Sequence, residues 1–216
     1  LHPLPAVEEA IDAVFENYSK FSPRAVRFLR NCDAGPVSVP GLTVTLDQMV
    51  IAGKVRSLAA LPPLKRKFSV HFSPVDNIEE AAEFVRRAYD GFFEEQPAMV
   101  DLIYPADAED LEECQRAGSL GYGVINGQRA GLMAAAPRTK YALEGYEIVE
   151  EVLDTPWRGL GLAAALQRSL VDHMAVEHPD NVLYGTIDGS NAASKATALR
   201  VGRTRIADFL YISRQP

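Results

Sequence analysis

Apolar positions recur along this chain with two different periods, and the change from one to the other divides it. In residues 6–19, AVEEAIDAVFENYS, the apolar residues Val7, Ile11, Val14 and Phe15 fall on one side of a 3.6-residue turn, which predicts an amphipathic helix. SPRAVRFLRN follows, with Ser22 placed to cap and Pro23 at the first helical position, an ordinary helix start. GPVSVPGLTV is turn-rich, LDQMVIAGKVRSLAAL reads as another helix, and Pro62-Pro63 ends it before the polar join LKRK. These readings predict a mostly helical region over residues 1–66, with a domain boundary near residue 66 and a second domain over 67–216.

In KFSVHFSPV the period becomes two, with Phe68, Val70 and Phe72 on one face of a strand. DNIEEAAEFVRRAYDGFF then carries a helical stripe of Ile78, Ala81, Phe84, Val85 and Ala88. GYGVINGQRAGLMAAA is two apolar runs around Asn126-Gly127, a hairpin turn whose two positions both take positive φ. GYEIVEEVL is a further strand, followed by a glycine turn, a helix over residues 159–177, the strand NVLYGTI, the helix NAASKATALRV and the strand TRIADFLYIS. The order β-α-(α)-β-β-β-α-β-α-β is an α/β arrangement: an antiparallel meander first, then parallel neighbours where helices cross between strands, with the helices flanking a mixed sheet.

Composition narrows the function classes. A hydrophobic content of 47% beside 24% charged residues supports a sizeable core. No apolar run approaches the roughly 18–20 residues of a membrane span, so no membrane partner is expected. Leu1-His2-Pro3 has neither the basic nor the apolar region of a signal peptide, and no initiator methionine, which fits a processed chain or one cut from a longer polypeptide. Cys32 and Cys114 stand far apart, in no metal-ligand spacing, so reduced thiols, a cytoplasmic location and no metal are the expectation. The net charge of −7 divides into +2 over residues 1–66 and −9 over residues 67–216. That acidic body argues against nucleic acid and suits a cationic partner.

Chemistry concentrates in PWRGLGLAAALQRSL, residues 156–170. Glycine inside a helix costs about 1 kcal/mol relative to alanine, so Gly159 and Gly161 require a reason. Either the turn takes backbone angles reserved to glycine, or something comes very close to the main chain. A strand running into such a turn and then a helix presents unpaired amides and the positive end of the helix dipole, a ready anion site. Ala163 keeps the next turn slim, and Arg158 adds a cation. The lysine of a P-loop and the third glycine of a dinucleotide fold are both missing. A pyrophosphate fits this turn; the competing reading is a glycine turn used only for close packing.

RGLGLA, Arg158 to Ala163, resembles the Q/R-x-x-G-x-G/A signature of the GNAT superfamily of acyl-CoA-dependent N-acyltransferases. NAASKATALRVG resembles the second signature of that superfamily, with Asn191, Ser194 and Gly202 in register, and the resemblance covers residues 67–216. It implies a GNAT-like mixed sheet whose parallel strands splay at a cofactor cleft, with acetyl-CoA or another acyl-CoA as cosubstrate. The pyrophosphate role falls on Arg158, Gly159, Leu160, Gly161, Leu162 and Ala163. Leu153, at the end of the preceding strand, stands where main-chain groups meet the pantetheine arm, and Asn191 and Ser194 match positions near its thioester end. A strand glutamate commonly acts as base in this superfamily. Glu147, eleven residues before Arg158, has the offset of the base in histone-acetyltransferase members. Glu150 and Glu151 point to opposite faces; in a regular strand Glu151 shares the face of Glu147, and a bulge reverses the choice.

The chain departs from the pattern at Ala198, where many members carry a tyrosine as general acid, and at Arg203, where an aromatic commonly follows the glycine. Tyr184, Tyr211 or Tyr122 could stand in, or the thiolate could leave unprotonated against strand amides or Arg200. His71, His173 and His178 show no nucleophile or metal partnership, and Trp157 reads as a hydrophobic anchor. The function implied is transfer of an acetyl or other acyl group to a primary amine, on a small molecule or a peptide. The alternative is a GNAT-like acyl-thioester binder without that reaction, regulatory or linked to a carrier protein in a larger synthase. A homodimer or a carrier protein is the macromolecular partner left open.

Overall fold

The computed structural model describes residues 5–35, 38, 40–64, 68–101 and 103–214; the expected boundary near residue 66 and most of the LKRK join lie outside them. The elements in chain order are α1 (Pro5–Asn17), β1 (Ala25–Asn31), β2 (Leu42–Lys54), α2 (Val55–Ala59), β3 (His71–Pro74), α3 (Ile78–Glu95) and α4 (Ala108–Arg116). They continue with β4 (Leu120–Ile125), β5 (Gln128–Lys140), β6 (Leu143–Leu153), α5 (Ala163–Glu177), β7 (Val182–Asp188), α6 (Ala192–Val201) and β8 (Thr204–Arg214). The strands form one mixed sheet in the order β1-β8-β2-β7-β6-β5-β4-β3. β3 to β6 is an antiparallel meander and β6 pairs parallel with β7, as the periodicity of residues 67–216 predicts.

The first 66 residues correct the expectation of a mostly helical region. α1 forms, but SPRAVRFLRN becomes the strand β1, antiparallel to β8, with Val26 opposite Ile212 and Phe28 opposite Leu210. Ser22 caps no helix start: at φ 50 it closes a short 3-10 turn in the left-handed region. LDQMVIAGKVRSLAAL is the second half of β2 followed by the five-residue α2. Met49, Val50, Ile51 and Ala52 are all buried, and a continuous apolar run of that kind has no period to separate a buried strand from a helix.

The chain forms two compact units, one of Leu1–Ile51, Thr186–Lys195 and Thr204–Pro216, the other of Ala52–Gly185 and Ala196–Arg203. In the first, Ile11 and Phe15 of α1 pack on Leu210 and Ile212, with Val26, Phe28, Leu42, Val44 and Leu46 around them. In the second, α5 covers one face of the sheet, Leu166, Leu170 and Met174 meeting Met133, Ala135 and Leu183. α3 and α4 cover its other face, Phe84, Val85 and Leu111 meeting Leu132, Ala134 and Ala136.

Two local irregularities prepare the site. Along β6, Glu147 lies opposite Ala136 and Ile148 opposite Ala135, but Glu150 lies opposite Ala134, so Val149 is an extra, bulged residue. At the start of the parallel pair, a β-carbon on Gly145 would collide with the carbonyl of Val182; glycine there lets β7 come close.

Candidate functional site

β6 and β7 share two rungs, Tyr146 with Leu183 and Glu147 with Tyr184, and then part. From Ile148 to Leu153, β6 keeps β5 on one side and, among the described residues, has no ladder partner on the other. The strands thus open into a fork; along this β6 edge the Glu151 amide donates to Glu150 Oε1 and the Leu153 carbonyl accepts from Arg158 Nε, in place of ladder bonds to β7.

The chain leaves this edge at Leu153, makes a 3-10 turn over Thr155–Trp157 held by the Asp154 carboxylate on the Thr155 amide, and enters the glycine turn. Gly159 and Gly161 have φ of 72° and 71°, in the left-handed region. A β-carbon on Gly159 would meet nothing within 4 Å, and one on Gly161 only Arg200 Nη1 at 3.9 Å. Close packing is therefore not what keeps glycine at these two positions; backbone conformation is, with open space beside it. α5 then starts with no side-chain cap, since Leu162 stands at its N-cap position and is buried beside Ala164 and Ala165. Its first-turn amides have no partner among the described residues, and the dipole of a 15-residue helix adds positive potential there. The cradle fits an oxyanion group such as a pyrophosphate.

The cation beside the turn differs from the expected one. Arg158 turns into the protein: its Nε donates to the Leu153 carbonyl at 3.1 Å, its Nη2 donates to the Ala88 carbonyl, and its Nη1 lies 3.7 Å from Glu95. Its guanidinium also stands over the Phe92 ring at 5.7 Å, so its side chain ties the turn to α3. The Leu153 carbonyl is accordingly already engaged. Arg200, from the last turn of α6, stands beside Gly161 with no ion pair among the described residues.

The bulge reassigns the glutamates. Glu147 and Glu150 lie opposite Ala136 and Ala134, on the α3–α4 face, while Glu151 lies opposite Met133 on the α5 face. The expectation for a regular strand, Glu151 beside Glu147, is corrected by the extra residue at Val149. Glu147 accepts from Lys140 Nζ at 2.7 Å, and its side chain is 13% exposed. Glu150 is buried and accepts from Tyr89 Oη (2.9 Å), Ala106 N (3.0 Å) and Glu151 N (2.9 Å). Burial raises its pKa, against the pull of those three donors. Glu151 accepts from Gln167 Nε2 at 2.5 Å, and Gln167 Oε1 accepts from the buried Arg203 at 3.0 Å. Burial pushes the Glu151 carboxyl up to about 7, opposed by Gln167 and Arg203. It pulls the Arg203 guanidinium down to about 10, which the Glu151 charge opposes. Arg203 Nη1 stands 3.8 Å from where a β-carbon on Gly185 would lie, so this polar chain underlies the fork on the α5 side. Sequence reasoning missed Gln167 and the roles of Lys140 and Arg203, because no motif marks side chains that meet only through the sheet.

Asn191 and Ser194 belong to the first unit, where the Asn191 side chain accepts from the Ser194 amide and caps α6. Ala198 is fully buried. Of the tyrosines, Tyr184 is fully buried on β7 as the rung partner of Glu147, and Tyr122 is buried against Phe84 at 5.4 Å. Tyr211 is 43% exposed on β8. Trp157 is half-buried and edge-on to Phe68 at 6.4 Å, the anchoring role expected of it. Among the described residues, no cluster of three or more His, Cys, Asp or Glu side chains is placed to hold a metal ion. None of their helices is long and apolar enough to cross a membrane.

No family model and no curated protein matches this sequence. Solved structures do match. One is an acetyltransferase of the GNAT family from Colwellia psychrerythraea, at 11% identity over 80% of this chain and 57% of that one, with a TM-score of 0.57. A second is a GCN5-related N-acetyltransferase from Kribbella flavida, at 16% identity over 99% of this chain and 77% of that one, with a TM-score of 0.53. A third is a GCN5-related N-acetyltransferase from Sphaerobacter thermophilus, at 14% identity over 95% of this chain and 66% of that one, with a TM-score of 0.50. The likeness is one of fold.

Proposed function

We propose that this chain, which has the fold of the GNAT acetyltransferases, transfers an acyl group from acyl-coenzyme A to a primary amine. The observation that carries the reading is the opening of β6 from β7 directly upstream of an uncapped helix start with two left-handed glycines. The free amides of Gly159 to Ala163, with Arg200 beside them, would hold the pyrophosphate. The β6 edge from Ile148 to Leu153, apart from the engaged Glu151 amide and Leu153 carbonyl, would meet the pantetheine arm. Asn191 and Ser194 enter this reading only through the signature they match. Coenzyme A supplies an acyl thioester, whose carbonyl carbon is open to attack by an amine.

Glu147, at the last rung before the fork, is the group proposed to accept the amine proton, a role worth typically 10²–10⁴-fold in rate. Glu151 faces α5, is held by Gln167 and keeps a proton to higher pH, so it is not the base proposed here. Amides of the β6 edge other than that of Glu151, which donates to Glu150, are the donors proposed for negative charge developing as the thioester opens, since Ala198 offers no proton. A cationic small molecule or peptide amine suits the −9 charge of residues 67–216.

The buried Ala198 favours a second reading, an acyl-thioester binder without transfer to an amine. Thermal stabilisation by acetyl-CoA, coenzyme A and longer acyl-CoAs, beside a Gly161→Trp variant, tests both. A ligand at a hundredfold excess over its Kd adds about 2.7 kcal/mol. A shift lost in the variant, with thioester consumed in the presence of an amine panel, supports the transferase. A shift without consumption supports the binder, and no shift removes both.

A further inference from the structure

Lys140 closes β5, and its ammonium nitrogen lies 2.7 Å from a carboxylate oxygen of Glu147. The ladder puts both on one face, because Lys140 lies opposite Leu143, Arg138 opposite Gly145 and Ala136 opposite Glu147. Arg138, between them on that face, pairs with Glu113 and also feels the Glu147 charge, while Lys140 is the group hydrogen-bonded to Glu147. The hairpin that returns the chain is unusual: Tyr141 and Ala142 have φ of 57° and 60°, a left-handed pair without glycine or asparagine. Lys140 is 46% exposed, so its amine is accessible to solvent while held at the carboxylate. An amine is thus already positioned at the group proposed as the base, beside the apex of the fork.

We propose that Lys140 is a self-acylation site of this protein; the inference rests on the transferase reading above. Glu147 takes one proton from the Lys140 ammonium, and the free amine adds to the thioester carbonyl carbon. The new N–C bond forms as the C–S bond breaks, and the electron pair leaves with sulfur. Of the two protons lost from nitrogen, one completes the thiol and the other goes to solvent. Tethering makes the attack unimolecular, an advantage no diffusing amine shares. The product amide is neutral and no longer holds Glu147 as an ion pair, so acylation of Lys140 frees that carboxylate for an external acceptor.

The test incubates the full chain with acetyl-CoA and no added amine, and follows each lysine by peptide mass spectrometry. Lys140 is expected to acetylate at least about tenfold faster than the exposed Lys20 and Lys54, with Glu147→Gln slowing it about a hundredfold. Lys140→Arg should remove the label and retain thermal stabilisation by coenzyme A. Equal rates at the three lysines, or a rate unchanged in Glu147→Gln, overturns the proposal. Coenzyme A stabilisation with turnover of external amines but no label on Lys140 overturns this inference alone. Absence of stabilisation overturns the transferase reading and this inference with it.

Discussion

Arg200 stands over Gly161, its Nη1 3.9 Å from where a β-carbon on that glycine would lie. Arg158, which begins the signature, faces the opposite way, onto the carbonyls of Ala88 and Leu153. Two arginines near one turn therefore divide the work: one is available to an anion, the other is bound to the frame. Their replacements should separate affinity from stability.

Arg200→Ala is expected to weaken coenzyme A binding about tenfold, the value of one charge-assisted hydrogen bond to a phosphate, and to flatten its salt dependence. The unliganded protein should melt where the parent does, because Arg200 has no partner to lose among the described residues. Calorimetric titration at two salt concentrations measures both. An unchanged Kd at low salt would remove Arg200 from the site.

Arg158→Ala should act on the fold. It strips two carbonyls of a charged donor and removes the cover of Phe92, at a cost of about 2 kcal/mol by urea unfolding. Its effect on coenzyme A affinity should be smaller than that of Arg200→Ala. The reverse ranking would return the cationic role to the signature arginine.

Glu151 gives stability a pH dependence of definite sign. Its folded-state pKa of about 7 lies above the ordinary carboxylate value of 4.5, so the folded chain binds the extra proton between those two pH values. That contribution is complete below about pH 4.5 and is lost as pH rises through 7. Glu151→Gln, which keeps an acceptor for Gln167 and carries no charge, should match the parent near pH 4 and exceed it by up to about 3 kcal/mol at pH 8. Denaturant unfolding across that range decides it; a constant difference would mean that Glu151 is ionised throughout.

What was legible in the sequence, and what was not, follows from the reach of each signal. The meander from Leu120 to Leu153 could be read because alternation and Asn126-Gly127 are local, and the structure places Asn126 and Gly127 at φ of 50° and 78°. Gly159 and Gly161 could be read because glycine marks left-handed backbone. β2 could not: Met49 to Ala52 is buried throughout and has no polar face to report its period. Tyr141-Ala142 turns a hairpin that local propensity disfavours, and the pairing of β5 with β6 that brackets it is not a local signal. The bulge at Val149 is a fact of register between two strands, and it decides which glutamate shares the face of Glu147.

That register yields the last prediction. Glu147 and Glu150 share the α3–α4 face, so position alone does not choose between them as base; their partners do. Glu150 is closed in by three donors, and as an amide it would set an NH₂ group against the Tyr89 hydroxyl or the amides of Ala106 and Glu151. Glu150→Gln should therefore cost about 1–3 kcal/mol of stability and leave kcat within a few-fold of the parent. Among the described residues Glu147 accepts one side-chain hydrogen bond, from the exposed Lys140, which an incoming amine can replace. Glu147→Gln should leave stability and coenzyme A affinity nearly unchanged and lower kcat about a hundredfold. If Glu150→Gln abolished turnover in a fully folded protein while Glu147→Gln did not, the base would be Glu150, and Lys140 would hold a carboxylate outside the reaction.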